Sequence, residues 1–229
     1  MNEKRLLCAN NDCWLKNNCN RIDCNKFCMR YFKLNYLYDS ANISINQRRH
    51  INLRPDDNNS DISAFKELKN IELNIEQFVK QGTNLYLHSN NTGNGKTSWA
   101  LRLVQAYFNK IWFKCNLSCK ALFINVPRFL LALKDNISDK SEYVQHIKDN
   151  INVCDIIIWD DIGTKSVTVF EAENLLALID MRENKTNIFT SNLNDDELHK
   201  FLGDRLASRI VNNSVNIELF GADKRGLKL

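Results

Sequence analysis

The sequence predicts a three-layer α/β fold, with helices on both faces of a parallel sheet. From about residue 63 onward, short apolar runs alternate with longer segments of helical periodicity. Strands separated by helices return to the sheet through crossovers, which makes neighbouring strands parallel. One run, "CDIIIWDD" (154–161), carries four consecutive apolar residues, "IIIW", and ends in two acids, as expected of a strand buried between two helical layers.

The elements follow in order. "AFKELKNIELNIEQFVKQG" (64–82) places Phe65, Leu68, Ile71, Ile75, Phe78 and Val79 at helical spacing and stops on Gly82, a natural C-cap. "NLYLH" (84–88) is a short strand, and "KTSWALRLVQAYFNKIWF" (96–113) a helix. "ALFINV" (121–126) is a strand, and "PRFLLALKDN" (127–136) opens a helix with Pro127 in its first turn. After strand 154–161 come helix 169–185, strand "TNIFTSN" (186–192), one long helix over 195–213 and a closing strand "VNIELF" (215–220). Upstream, residues 1–50 are rich in Cys, Asn and aromatics, and 51–62, "INLRPDDNNSDI", have linker composition. The expected domains are thus 1–50, a linker at 51–62, and a core at 63–229.

The 229 residues suit one conventional core plus a small accessory module. With 31 Lys and Arg against 27 Asp and Glu, the net charge of +4 permits nucleic-acid contact without requiring it. No run of 18 or more apolar residues marks a membrane span, and the start lacks an apolar secretory core, so no membrane role and a cytoplasmic address are expected. Arg48, Arg49 and Lys165 read as solvated surface, although basic residues of this kind can touch DNA. Cys115, Cys119 and Cys154 read as small buried hydrophobes.

Between strand 84–88 and helix 96–113 lies "SNNTGNGKTS" (89–98). A strand–loop–helix junction ending in Gly-Lys-Thr is where backbone N–H groups and a helix N-terminus can hold phosphate. The cofactor-binding candidates are Asn90, Asn91, Thr92, Gly93, Asn94, Gly95, Lys96, Thr97 and Ser98. Lys96 would reach the β- and γ-phosphates, and the Thr97 hydroxyl would hold Mg²⁺. Asn90 stands where the usual pattern has its first glycine, and Asn is the side chain that best tolerates a left-handed turn. Asp160 and Asp161 arrive at the C-terminal end of their strand, the end at which ligands collect in open parallel sheets. Asp160 would hold the magnesium, and Asp161 would orient or deprotonate an attacking water.

The segments "NIEQFVKQGTNLYLHSNNTGNGKTSWA", "FINVPRFLLALK", "IIIWDDIGTKSVTVFEAENLLALIDMR", "NIFTSNL" and "LGDRLASRIV", taken in this order, resemble the AAA+ ATPase core of the DnaC/DnaI helicase loaders, particularly the short forms encoded by phages of Gram-positive bacteria. The resemblance spans roughly residues 64–226. It implies a P-loop AAA+ (RecA-like) core without a C-terminal lid, using ATP and Mg²⁺. It implies Asn192 as the polar sensor at the end of its strand. In "GDRLASRI" it implies an arginine finger that reaches a neighbouring subunit's nucleotide, with Arg209 first and Arg205 second. It implies Arg225 in "FGADKRG" as a second sensor. Asp161 stands where most AAA+ ATPases carry Glu, and the shorter acid implies slow hydrolysis.

The spacing Cys8-x4-Cys13-x5-Cys19-x4-Cys24-x3-Cys28 packs five thiols into a segment too short to bury a core of its own. A structural Zn²⁺ on Cys13, Cys19, Cys24 and Cys28 is the expected staple, and Cys8 can substitute for one of them. An iron–sulfur cluster and unliganded reduced thiols are the alternatives. "FCMRYFKLNYLYDSA" (27–41) reads as an amphipathic helix packed on this site.

Resemblance to the loaders implies that residues 1–50 dock on a hexameric replicative helicase. The core would self-associate into an arc or ring with nucleotide and help place the helicase on single-stranded DNA. Two alternatives use the same core: a transposition-type AAA+ ATPase that coats DNA and recruits a recombinase, and a non-hydrolysing nucleotide-bound adaptor.

Overall fold

The computed structural model describes residues 13–15, 19, 27–48, 53–55, 60–135, 140–221 and 223. Helix α1 (Met29–Ser40) comes first, followed by a 3-10 turn over Ile45–Arg48. The core then runs α2 (Ile62–Leu73), α3 (Ile75–Lys80), β1 (Asn84–His88), α4 (Lys96–Ile111), β2 (Ala121–Asn125), α5 (Val126–Asp135), α6 (Glu142–Asn150) and β3 (Ile156–Asp160). It closes with α7 (Val169–Asp180), β4 (Thr186–Ser191), α8 (Asp195–Leu202), α9 (Asp204–Val211) and β5 (Ser214–Glu218).

The five strands form one sheet in the order β2-β3-β4-β1-β5, and every neighbouring pair is parallel. Alternation along each strand divides the core into two layers. Leu85 and Leu87 of β1, Ile156 and Ile158 of β3 and Ile188 of β4 pack with the apolar faces of α1, α2 and α4. Tyr86, Ile157, Trp159 and Phe189 point the other way, into a cluster built from α5 to α9. Strand β3 is buried along its whole length, which explains its unbroken apolar sequence. Trp159 is fully buried and stacks at 6.5 Å on Phe189. Truncating it to Ala would cost about 3–5 kcal/mol.

Helix α1 shares this core: Leu34, Leu37 and Tyr38 are buried, and Tyr38 meets Phe108 of α4 edge-on at 5.0 Å. At the far end of the linker-like stretch, Asp61 is fully buried and accepts a hydrogen bond from Phe220 N.

The structure redraws several elements. The helix expected over 64–82 is two, α2 and α3, divided at Asn74. The helix expected over 195–213 is also two, because Gly203 (φ 81°) breaks it between α8 and α9. Helix α6 was not expected; Ser141 caps it by accepting from Val144 N at 3.4 Å. Arg48 is not solvated surface: it is 6% exposed, with Nε donating to Ile43 O at 3.0 Å and its guanidinium also reaching Asn35 and Asp39. The curl of the 3-10 turn folds its side chain back onto α1. Cys115, Cys119 and Cys154 are buried as expected. Among the described residues no helix is long and apolar enough to cross a membrane.

Candidate nucleotide site

The loop after β1 turns on two glycines, Gly93 (φ 71°) and Gly95 (φ 108°), both in the left-handed region that side chains avoid. Asn90 is exposed and is not among the residues with positive φ, so its left-handed tolerance is not called upon. Gly95 stands at the N-cap of α4 and has no side chain of its own to bond the first-turn amides. That leaves the N-terminus of a 16-residue helix facing the loop.

Polar side chains of the loop brace it. Asn94 is 1% exposed and its Nδ2 donates to Leu219 O at 3.0 Å. Asn91 Nδ2 reaches Phe220 O and Gly221 O, both at 3.3 Å. The segment after β5 is therefore sewn to the loop. Lys96 is 6% exposed; its Nζ donates to Asn91 O at 2.8 Å, Asn94 Oδ1 at 3.2 Å and Ser89 O at 3.5 Å. The ammonium thus lies against the concave side of the loop, satisfied by oxygens that phosphate oxygens can replace.

Thr97 and Asp160 meet across the site. Thr97 Oγ1 donates to Asp160 Oδ1 at 2.7 Å, and Thr190 Oγ1 of β4 donates to the same oxygen at 2.8 Å. Burial pushes the Asp160 carboxyl above the usual carboxylate range; the Thr97 hydrogen bond opposes this, and the nearby Asp161 charge reinforces it. A hydroxyl and a carboxylate from α4 and β3 make a hard-oxygen pair suited to Mg²⁺, which keeps several of its waters. Asp161 is in the left-handed region (φ 58°), its N–H held by Thr190 Oγ1 at 3.0 Å. Asn125 Nδ2 approaches its carboxylate at 3.5 Å.

A recess of about 330 Å³ is lined by Thr92 to Ser98 together with Asp161, Thr164 and Asn192. The structure thus gathers the loop, the acids and Asn192 at one end of the sheet. Gly163 (φ 81°) lets the chain turn beneath Asn192, since a Cβ there would lie 2.8 Å from Leu193 Cδ1. Thr190, Asn125 and Ser89 were not foreseen from sequence. Extending the Trp159↔Phe189 register by one residue puts Thr190 beside Asp160, but that requires the strand order.

The arginines lie elsewhere. Arg209, half-exposed in the last turn of α9, places Nε 3.1 Å from Asp180 Oδ1. It borders a second recess lined by Gly82, Asn84, Asp180 and Asn187, at the N-terminal ends of β1 and β4. A five-residue strand separates the two ends by roughly 17 Å. Arg205 is exposed in the first turn of the same helix. Arg225 lies outside the described residues. Of the expected zinc ligands, Cys13 and Cys28 are buried and Cys19 is half-buried, while Cys24, like Cys8, lies outside the described residues. Among the described residues no cluster of three or more His, Cys, Asp or Glu is arranged to hold a metal.

A profile of the IstB-like ATP binding protein family matches residues 58–217, and the chain belongs to that family. Among curated proteins, none matches in sequence. The crystal structure of the DnaC helicase loader matches with TM-score 0.59 at 18% identity, over 72% of this chain and 93% of that one. A putative primosome component from Streptococcus pyogenes serotype M3 matches with TM-score 0.59 at 23% identity, over 80% and 92% of the two chains. The crystal structure of DnaI matches with TM-score 0.58 at 21% identity, over 80% and 94%. The fold is of the P-loop AAA+ type.

Proposed function

We propose that this IstB-like AAA+ ATPase is an ATP-dependent loader of a hexameric replicative helicase onto single-stranded DNA. The observation that carries the reading is the separation of Arg209 from its own phosphate loop. Among the described residues no arginine lines the recess around Lys96, while Arg209 stands half-exposed at the other end of the sheet. A second copy supplying Arg209 would complete the site, so ATP would act as the signal for an arc or ring.

Within one site the residues divide the work. Backbone amides of Thr92 to Ser98 and the Lys96 ammonium cradle the phosphates. Thr97 and Asp160 hold Mg²⁺, Asp161 orients or deprotonates the attacking water, and Asn192 senses the γ-phosphate. Arg205 is the second candidate finger and Arg225 the second sensor. The short Asp161 acid supports slow turnover. Residues 1–50 form the helicase-docking module, stapled by Zn²⁺ on Cys13, Cys19, Cys24 and Cys28, with 51–62 as linker and 63–229 as ATPase core.

The IstB-like family match favours a second reading, a transposition-type ATPase that coats DNA and recruits a recombinase. One experiment separates the two. The full chain is mixed with a replicative hexameric helicase and single-stranded DNA covered by single-strand binding protein, and unwinding is measured with and without ATP. ATP-dependent stimulation of unwinding, with co-purification of helicase and chain, is the expected result. ATP-dependent coating of duplex DNA without helicase binding would replace loading by the second reading.

A further inference from the structure

Cys119 and Cys154 stand outside the nucleotide site. Ala121 pairs with Ile156 at the start of the parallel β2–β3 ladder, and each cysteine lies two residues upstream of that pair. Lys120 O accepts from Asp155 N at 3.0 Å and Ile156 N at 3.3 Å, so the two chains are still side by side there. Adjacent strands run about 4.8 Å apart. That spacing falls within the 4.4–6.8 Å of Cα separation that a disulfide accepts. The sulfurs face each other at 3.2 Å, and both residues are buried.

The surroundings give the pair a consequence. With Cys154 donating to it, Cys119 Sγ has two carbonyl acceptors for its own proton: Ser40 O at 3.2 Å, on the last residue of α1, and Ala121 O at 3.1 Å. His146 Nε2 of α6 meets that same carbonyl oxygen at 2.9 Å. The next carbonyl, Ala41 O, accepts from Phe123 N of β2 at 2.8 Å. The thiols therefore lie on the seam where the N-terminal helix joins the edge of the sheet.

We propose that Cys119 and Cys154 form a reversible intrachain disulfide when the protein meets hydrogen peroxide, and that the bond withdraws the Cys119 donor from Ser40 and loosens this seam. The Cys119 thiolate attacks one peroxide oxygen, the O–O bond breaks, and the released hydroxide takes a proton to leave as water. The Cys154 sulfur then attacks the Cys119 sulfenic acid; the S–O bond breaks, the Cys154 proton goes to the departing oxygen, and a second water leaves. Two thiols and one peroxide become one disulfide and two waters.

The division of roles follows from the contact. A hydrogen bond from Cys154 holds the Cys119 thiol below its ordinary value, and the same contact, with burial, holds Cys154 above its own. Access comes from position: β2 is an edge strand, preceded by irregular chain over residues 115–120. Local opening of such an edge costs less than global unfolding.

The test uses the full chain, fully reduced and then titrated with hydrogen peroxide. Free thiols are blocked under denaturing conditions and the peptides mapped by mass spectrometry. The expected result is a cross-linked peptide joining Cys119 to Cys154, several-fold more abundant than any other pairing and lost on adding dithiothreitol. In Cys154→Ser, Cys119 should accumulate as a sulfenic acid trapped by dimedone. Hydrogen exchange at the amides of residues 41–43 should be faster in the oxidised wild type than in the reduced. Recovery of both cysteines as blocked free thiols while other cysteines oxidise would overturn the disulfide. Unchanged exchange at 41–43 in a cross-linked sample would overturn the loosening. The wild-type map decides the first point even if the serine variant does not fold.

Discussion

Lys96 and Asp160, proposed to hold phosphate and Mg²⁺, are carried by a Gly-Lys-Thr loop and an apolar strand ending in Asp-Asp, and their own partners come from different distances along the chain. The oxygens that hold Lys96 come from its own loop, whereas Thr190 reaches Asp160 only because β4 lies beside β3. Asn90 does not play its expected part: the left-handed turn foreseen there is made by Gly93 and Gly95. Two predictions belong at this scale. Lys96→Ala should abolish ATP binding by isothermal titration, a loss of more than about 100-fold in Kd, on the order of 3 kcal/mol. Asp160→Asn should stop Mg²⁺-dependent hydrolysis yet raise the thermal midpoint of the nucleotide-free protein at pH 7. The sign follows from burial, which lifts the Asp160 carboxyl above its unfolded value. The folded state then binds a proton that the unfolded state has released. That contribution is fully present below the unfolded value, near 3.9, and is lost as pH rises through the folded one. Asn keeps an oxygen for Thr97 and Thr190 without the buried charge, so midpoints of the two proteins should converge toward pH 3–4. Equal midpoints at pH 7 would count against the burial argument.

Helices and strands with strong periodicity were legible in kind, and their breaks were not. Glycine at 203 interrupts a run whose apolar residues Leu198, Leu202, Leu206 and Ile210 keep helical spacing, so periodicity alone carries straight through it. The break matters because α9 aims Arg205 and Arg209. Nothing lies within 4 Å of a Cβ built at Gly203, so only its φ of 81° opposes Ala. At φ 81° and ψ 153°, a region nearly exclusive to glycine, Gly203→Ala should cost about 1–3 kcal/mol in urea unfolding. Gly82 is different: at φ 64° a Cβ would sit 2.3 Å from the Asn184 backbone oxygen. Gly82→Ala should cost more than Gly203→Ala, because a backbone oxygen must move and strain adds to overpacking. Similar costs for the two would show that the turn before β1 relaxes freely. Helix α6 escaped notice because it is nine residues long and buries only Val144 and Ile147, too few to set a period.

At the scale of the whole molecule, Lys96 and Arg209 border recesses at opposite ends of the sheet, so a nucleotide bound beside Lys96 would meet Arg209 only from a second copy. Lys96→Ala copies keep Arg209 but lose the loop lysine, and Arg209→Ala copies keep the loop but lose the finger. Neither alone should turn over ATP well. Mixed at equal concentration, they should recover about a quarter of wild-type turnover, as about one interface in four pairs an intact loop with an intact arginine. No recovery would place Arg209 outside catalysis and return it to a surface ion pair with Asp180, worth under about 1 kcal/mol. For the N-terminal module, elemental analysis of the full chain should find about one zinc per chain if the cysteines form a Cys₄ site. By itself the sequence determined the α/β class, the phosphate loop and the paired acids, because each rests on neighbours along the chain: hydrophobic period, Gly-Lys-Thr and a strand's last residues. Only the tertiary structure decided the strand order, the bracing of the loop by the segment after β5, the burial of Arg48, the Cys119–Cys154 contact and the placement of Arg209 away from Lys96. Apart from Arg48, whose partners lie within 13 residues of it, those depend on which strands become neighbours, and that is settled by the packing of two apolar layers against one sheet rather than by any local run of residues.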